Sequence, residues 1–290
     1  MDKRLVLLPR VPILKKASVE DRQRLLGLFP VAKLRVSFTS KSSKEAICKA
    51  AAKSSDQANL DKIADFADKN LNTCKQHIHV FSHAGDAVLP DSLQGGERVI
   101  EAEDHAFYLV RVAFDVVVLA ELKKAKIEFL WPVRIDIDPK YMVVRFIVLE
   151  KNLSAYFDSP TLVQGKSLDE EVIVSGILAD GTLSAADLNK GIKELWASDS
   201  FDAVRTRYKK PRSVAWEAMD EEQGIKQCNP ALYEELRTKP MYLTAFKSRN
   251  DESSIQAFTS DPTNGLIGFT QYSKEGGDSD ELIRKILKGN

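Results

Sequence analysis

The sequence predicts an α+β protein: a small, basic, helical N-terminal subdomain over residues 1–75, then over 76–290 a larger domain with a mostly antiparallel sheet and flanking helices. Three observations point there. The first stretch carries serine-led helix starts followed by apolar residues at helical spacing. From Gln76 onward the texture turns to alternating runs rich in Val, Ile and aromatics. These strand-like runs follow one another instead of alternating one-for-one with helices, which argues against a doubly wound parallel sheet.

In chain order, Ser18-Val19-Glu20-Asp21 and Ser42-Ser43-Lys44-Glu45 read as capping boxes. The first precedes Leu25, Leu26, Leu28 and Phe29, the second Ile47, Ala50 and Ala51, and a third helix is expected around Leu60, Ile63, Ala64 and Ala67. Residues 76–83 alternate, with Ile78 and Val80 on one side. Residues 84–105, with three glycines, read as a long loop. A strand is expected over 107–114, either strand or helix over 116–124, and strands over 126–131 and 132–138. Residues 141–149 (YMVVRFIVL) are the most strand-like stretch, and Asp138-Pro139-Lys140-Tyr141 before them suits a tight turn.

Further on, 171–178 reads as a short strand ended by the turn pair Asp180-Gly181. Ser184-Ala185-Ala186-Asp187 resembles another capping box, ahead of Leu188, Ile192, Leu195 and Trp196 at helical spacing. Residues 241–247, 255–259 and 266–272 suggest an antiparallel meander. Asp278-Ser279-Asp280-Glu281 caps a final helix carrying Leu282, Ile283, Ile286 and Leu287.

Composition narrows the class. Lys+Arg and Asp+Glu both count 42 and hydrophobic residues make up 43%, so a folded chain is expected and wholesale disorder is not. No stretch reaches the roughly 18 apolar residues that cross a bilayer, so no membrane partner is expected. Three widely spaced cysteines, Cys48, Cys74 and Cys228, suggest no disulfide framework and a reducing, cytoplasmic location.

The zero net charge hides blocks. Residues 1–55 hold 13 Lys/Arg against 4 Asp/Glu, and Arg22, Arg24, Lys33, Arg35, Lys41 and Lys44 fall in a run without acids. Arg205, Arg207, Lys209 and Lys210 form a second cluster around Tyr208. A two-residue hairpin loop at Pro139-Lys140 would set Arg134 opposite Arg145, a like-charge pair that needs a carboxylate or an anion between its members. Asp136 shares that face and supplies the plainer, local partner. These twelve cations are the candidate nucleic-acid-binding residues, because Lys and Arg gain affinity for phosphates by releasing counterions.

Other chemistry is thinner. Among the histidines, His77, His79 and His83 lie close to Cys74, and on a strand the three share a face. Imidazole and thiolate suit zinc, but this spacing closes no tetrahedral site by itself; His105 is the remaining histidine, and no structural zinc or other cofactor is expected. Asp136, Asp138 and Glu150 loosely resemble the carboxylates of metal-dependent nucleases, without the spacer between Glu150 and Lys151. Glycine-rich phosphate loops, His-Glu-x2-His, Gly-x-Ser-x-Gly and Cys-x2-Cys are missing. The expected function is therefore a non-enzymatic binding or adaptor protein that contacts nucleic acid or an acidic protein partner through a basic N-terminal surface. The alternative is a metal-dependent hydrolase or nuclease using Cys74, His77, His79 and His83, or Asp136, Asp138 and Glu150.

Overall fold

A computed structural model describes residues 4–6, 68, 71–73, 75–85, 87–119, 122–148, 161–209, 215–220, 222–271 and 279–290. In chain order these form β1 (Arg4–Val6), β2 (Gln76–Ser82), β3 (Ser92–Leu93), β4 (Gly96–Glu101), β5 (His105–Val118), β6 (Lys123–Ile137), β7 (Tyr141–Ile147), β8 (Thr161–Lys166), α1 (Glu170–Ile177), β9 (Ser184–Ala185), α2 (Asn189–Ala197), β10 (Phe201–Lys209), β11 (Ala215–Met219), α3 (Ile225–Cys228), α4 (Pro230–Arg237), β12 (Met241–Ser248), β13 (Ala257–Asp261), β14 (Leu266–Phe269) and α5 (Ser279–Gly289). Among the described residues no helix is long and apolar enough to cross a membrane. The chain divides into two units: residues 1–71, 88–136 and 146–181 in the first, 72–87, 137–145 and 182–290 in the second.

In the first unit β3, β4, β5 and β6 pair antiparallel in succession. The long β5–β6 ladder runs from His105↔Asp136 to Val118↔Lys123. The end of β5 also pairs with β8, and β1 lies parallel to β6 with Leu5 opposite Phe129. Phe107, Val110, Val112, Trp131, Val133 and Phe146 are fully or nearly fully buried. The Trp131 indole donates to the Ile147 carbonyl at 2.9 Å while its ring packs 5.3 Å from Phe146. Burying the indole therefore strands no polar group.

This corrects the expected architecture. A small helical N-terminal subdomain ahead of one sheet domain is not what forms: the first described residues are a strand, and among the described residues the fold is mostly antiparallel sheet. A capping box reports only local hydrogen bonding, whereas Arg4-Leu5-Val6 is recruited by a partner strand far along the chain. The boxes at Ser18 and Ser42 and the apolar sets behind them lie outside the described residues. Three local readings also change. Residues 84–105 are not a loop throughout, because β3 and β4 form a hairpin there with Gly95 in the left-handed region (φ +68°). The expected strand at 171–178 is helix α1: Ile173 and Ile177, one turn apart, are both buried, and Glu170 and Glu171 occupy the first turn, where the helix dipole favours acids. Ser184-Ala185 starts no helix; it pairs with β2 as β9, and α2 begins after Leu188.

In the second unit the strand order is β11-β10-β12-β13-β14-β2-β7, antiparallel from β11 through β2. The meander, the Asp138–Tyr141 turn and the final helix form as the sequence predicts. In that turn the Asp138 carboxylate accepts from the backbone N–H groups of Lys140 and Tyr141, both at 2.8 Å. One face of the sheet presents Ile78, Val80, Phe246, Phe258, Ile267 and Phe269 to helices α2, α4 and α5. Trp196 of α2 is central, edge-on to Tyr233 at 4.8 Å and to Phe246 at 6.1 Å. Helices α2 and α5 touch at Gly191, where an added Cβ would fall on the Ile286 carbonyl oxygen.

Asp202, only 2% exposed near the start of β10, ties these parts together. Its carboxylate accepts from the Trp196 indole (2.8 Å), the Lys226 backbone N–H (3.1 Å) and the Arg249 guanidinium (2.6 Å). Replacing Asp202 with Ala leaves the buried Trp196 indole and the Lys226 N–H without their acceptor and should lower stability by about 2–3 kcal/mol, read from urea denaturation. Asp199→Asn, which neutralises an exposed carboxylate held by Lys226 and Arg249 and keeps a side chain that tolerates the left-handed backbone there (φ +64°), should leave the denaturation midpoint nearly in place.

Candidate functional site

Directly paired residues of neighbouring strands point to the same side of a sheet. The ladder registers of the second unit therefore define one row on the face opposite the helices: Met219, Arg205, Ala245, Thr259, Gly268 and His77. Six strands at the usual spacing make this row about 24 Å long. The alternation of β10 supplies the charge. Thr206 and Tyr208 are buried inward, while Arg205, Arg207 and Lys209 stand outward. A register shift between Thr206 and Tyr208 brings the Tyr242 ring under Lys209, whose Nζ sits 5.3 Å from the ring centroid. Lys247, two residues from Ala245 on β12, adds an exposed cation to the same face.

Glu217 of β11 is opposite Arg207 and accepts from Arg205 Nε (2.5 Å) and Arg207 Nε (3.2 Å). The hydrogen bond from Arg205, reinforced by Arg207, holds its carboxyl below the ordinary glutamate range. The middle of the row is floored by small side chains. At Gly268 a Cβ would come within 2.6 Å of Thr259 Oγ1, so glycine keeps the floor low. The next row pairs Asp261, Leu266 and His79, and the His79 ring stacks on Phe81 at 6.3 Å. The face is open at its β11 end, where Met219 is 55% exposed, and closes toward Phe81, which is 3% exposed. The result is a trough, cationic at its open end and lined by imidazoles at its inner end.

Of the cations singled out from sequence, Arg205, Arg207 and Lys209 are brought together here. Arg145 is buried and donates to Asp280 in the first turn of α5. Arg134 belongs to the first unit, where it donates to Asp68 at 2.9 Å and Asp136 at 2.7 Å; the local pairing with Asp136 is the arrangement found. Arg22, Arg24, Lys33, Arg35, Lys41, Lys44 and Lys210 lie outside the described residues, as do Cys74 and Glu150. His83 sits past the end of β2. Its Nδ1 accepts from the Gly85 N–H (3.1 Å), which leaves Nε2–H to donate to the Asp138 carbonyl (2.9 Å). Among the described residues, no group of three or more His, Cys, Asp or Glu side chains is placed to hold a metal ion.

Sequence reasoning missed one polar cluster in the first unit. His105 Nδ1 lies 2.9 Å from Asp104, and its Nε2 lies 3.5 Å from Asp68, the carboxylate that also holds Arg134. Asp68 falls in a stretch read as helix and His105 at the end of one read as loop, so nothing local announced their meeting. The ladder pair His105↔Asp136 completes the group.

Neither a protein-family model, nor a curated protein, nor a solved structure matches the chain.

The hydrogen bond to His105 holds the Asp104 carboxyl below its ordinary range. The stability this contributes is in place above the unfolded pKa and is lost as pH falls through the folded one. In His105→Phe, carboxyl carbon NMR should show Asp104 titrating higher than in the parent. The acid limb of the stability–pH curve should become shallower.

Proposed function

We propose that the chain is a binding protein that holds single-stranded nucleic acid in the trough of the second unit, without catalysing a reaction on it. The observation that supports this reading best is the row of Arg205, Arg207 and Lys209 projecting from one side of β10 beside the low floor at Ala245, Thr259 and Gly268. Cations spaced along a strand can follow a phosphate backbone, and rings at the inner end offer π-faces to splayed bases. A sheet face suits a single strand better than a duplex, whose grooves call for a protruding helix or ribbon. Arg134 and Arg145, engaged by Asp68, Asp136 and Asp280, take no part. A cytoplasmic setting fits the exposed free thiol of Cys228.

Fluorescence anisotropy of a labelled oligonucleotide at several salt concentrations tests the proposal. With Arg205, Arg207, Lys209 and Lys247 each meeting a phosphate, log K should fall against log salt with a slope of about −3. Arg207→Ala with Lys209→Ala should reduce that slope by about 1.4. His77→Ala with His79→Ala should weaken binding by about 1–3 kcal/mol per lost stack while leaving the slope unchanged. Absence of oligonucleotide binding at low salt sinks the proposal, and binding of an acidic peptide in its place would point to an acidic protein partner.

Glu217 gives the same reading a sign. Its carboxylate competes with phosphate for Arg205 and Arg207, so Glu217→Gln should tighten binding. In the parent the same gain should appear only at acid pH, below the ordinary glutamate range, because the arginines keep Glu217 ionised. Unchanged affinity in Glu217→Gln would count against the trough as the site.

A further inference from the structure

On the helical side of the second unit lies a cleft of about 540 Å³, lined along one flank of α2 and closed by Arg237 at the end of α4 and Asn290 after α5. That volume is within the range of small-molecule sites. Its walls are firmly built. The Asn290 side chain accepts from the Gly191 N–H (3.3 Å) and donates to the Asp187 carbonyl (2.5 Å), and Asp187 accepts from the Asn189 N–H (2.9 Å). Three cations line the cleft, and two have carboxylate partners: Lys190 lies 3.9 Å from Glu194, and Arg237 lies 3.3 Å from Glu234.

Lys193 is the exception. It is half-buried, and among the described residues no carboxylate lies within ion-pair distance of it; Asp187 acts on it only through space. Burial pushes its amine below the ordinary lysine range, with Asp187 opposing. A partly desolvated ammonium in a cleft is stabilised by an anion that enters with its own counter-charge.

We infer that this cleft binds a small organic carboxylate, whose single negative charge pairs with Lys193 and whose body lies along α2 toward Ala197. One unmatched cation calls for one anionic charge. The inference is independent of the trough on the opposite face.

Isothermal titration calorimetry of the full chain with sodium acetate, butyrate and hexanoate, and with inorganic phosphate as comparator, tests it. At least one carboxylate is expected to bind saturably and more tightly than phosphate. Lys193→Met, which keeps the stem and removes the charge, should weaken that binding about tenfold or more. Ala197→Trp fills the cleft without touching a charge and should abolish it, which keeps the inference testable if the lysine variant does not fold. Absence of saturable carboxylate binding, phosphate binding as tightly, or unchanged affinity in folded Lys193→Met or Ala197→Trp would overturn it.

Discussion

The second unit depends on one buried carboxylate. Taking Asp202 out of water is costly unless its oxygens are bonded, and the three donors it recruits come from three different places. The Trp196 indole belongs to α2, the Lys226 N–H to α3, and the Arg249 guanidinium to the segment after β12. Satisfying Asp202 therefore fixes a helix, a short helical turn and a strand end against β10 at once. Gly224 shows how tight the arrangement is: it sits at φ +89°, and a Cβ there would lie 2.6 Å from the Asp202 carboxyl carbon. The strand thus anchored is the one that carries Arg205, Arg207 and Lys209.

Among the described residues, charge is arranged more by pairing than by patches. Arg134 lies between Asp68 and Asp136, Arg145 meets Asp280, and one glutamate bridges Arg205 and Arg207. Solvent-exposed pairs, such as Glu217 with Arg205 and Arg207, contribute little to stability, about 0–1 kcal/mol each. Their larger effect is on what a partner must displace. A ligand reaching Arg205 and Arg207 competes with a carboxylate held by two guanidiniums, whereas Lys209 and Lys247 have no ion-pair partner among the described residues.

What the sequence revealed was local. Strands β12, β13 and β14 and helix α5 were legible because their alternation or helical spacing is contained within each element. Helix α1 was misread because Val172, Ile173 and Val174 are β-branched, a bias that the burial of Ile173 and Ile177 on a shared helical face overrode. Between Trp196 and Met241 no spacing along the chain predicts an element, so β10, β11, α3 and α4 are not legible there, although the basic cluster on β10 is. The trough could not be read at all. Its row is a property of registers between strands that are distant in sequence, and no spacing along the chain links Met219 to His77. The histidines drew notice as metal ligands, while their position beside Gly268 and Leu266 only appears once β14 pairs with β2.

That pairing also sets a timetable. The second unit is assembled from three stretches of chain, and β2 belongs to the earliest. Gln76 on β2 bonds Ser279 at the start of α5, 203 residues later, and Ser279 in turn donates to the Asn72 carbonyl. At the ribosome's pace of about 5–20 residues per second, β2 waits roughly 10–40 s for these partners to be made. Until β14 is made, the edge of β2 that it will occupy remains open to mispairing, and Ile78 and Val80 lack Ile267 and Phe269 as core neighbours. Guarding a nascent segment, a task for chaperones, is thus a cost written into the connectivity of this sheet, however stable the finished sheet becomes.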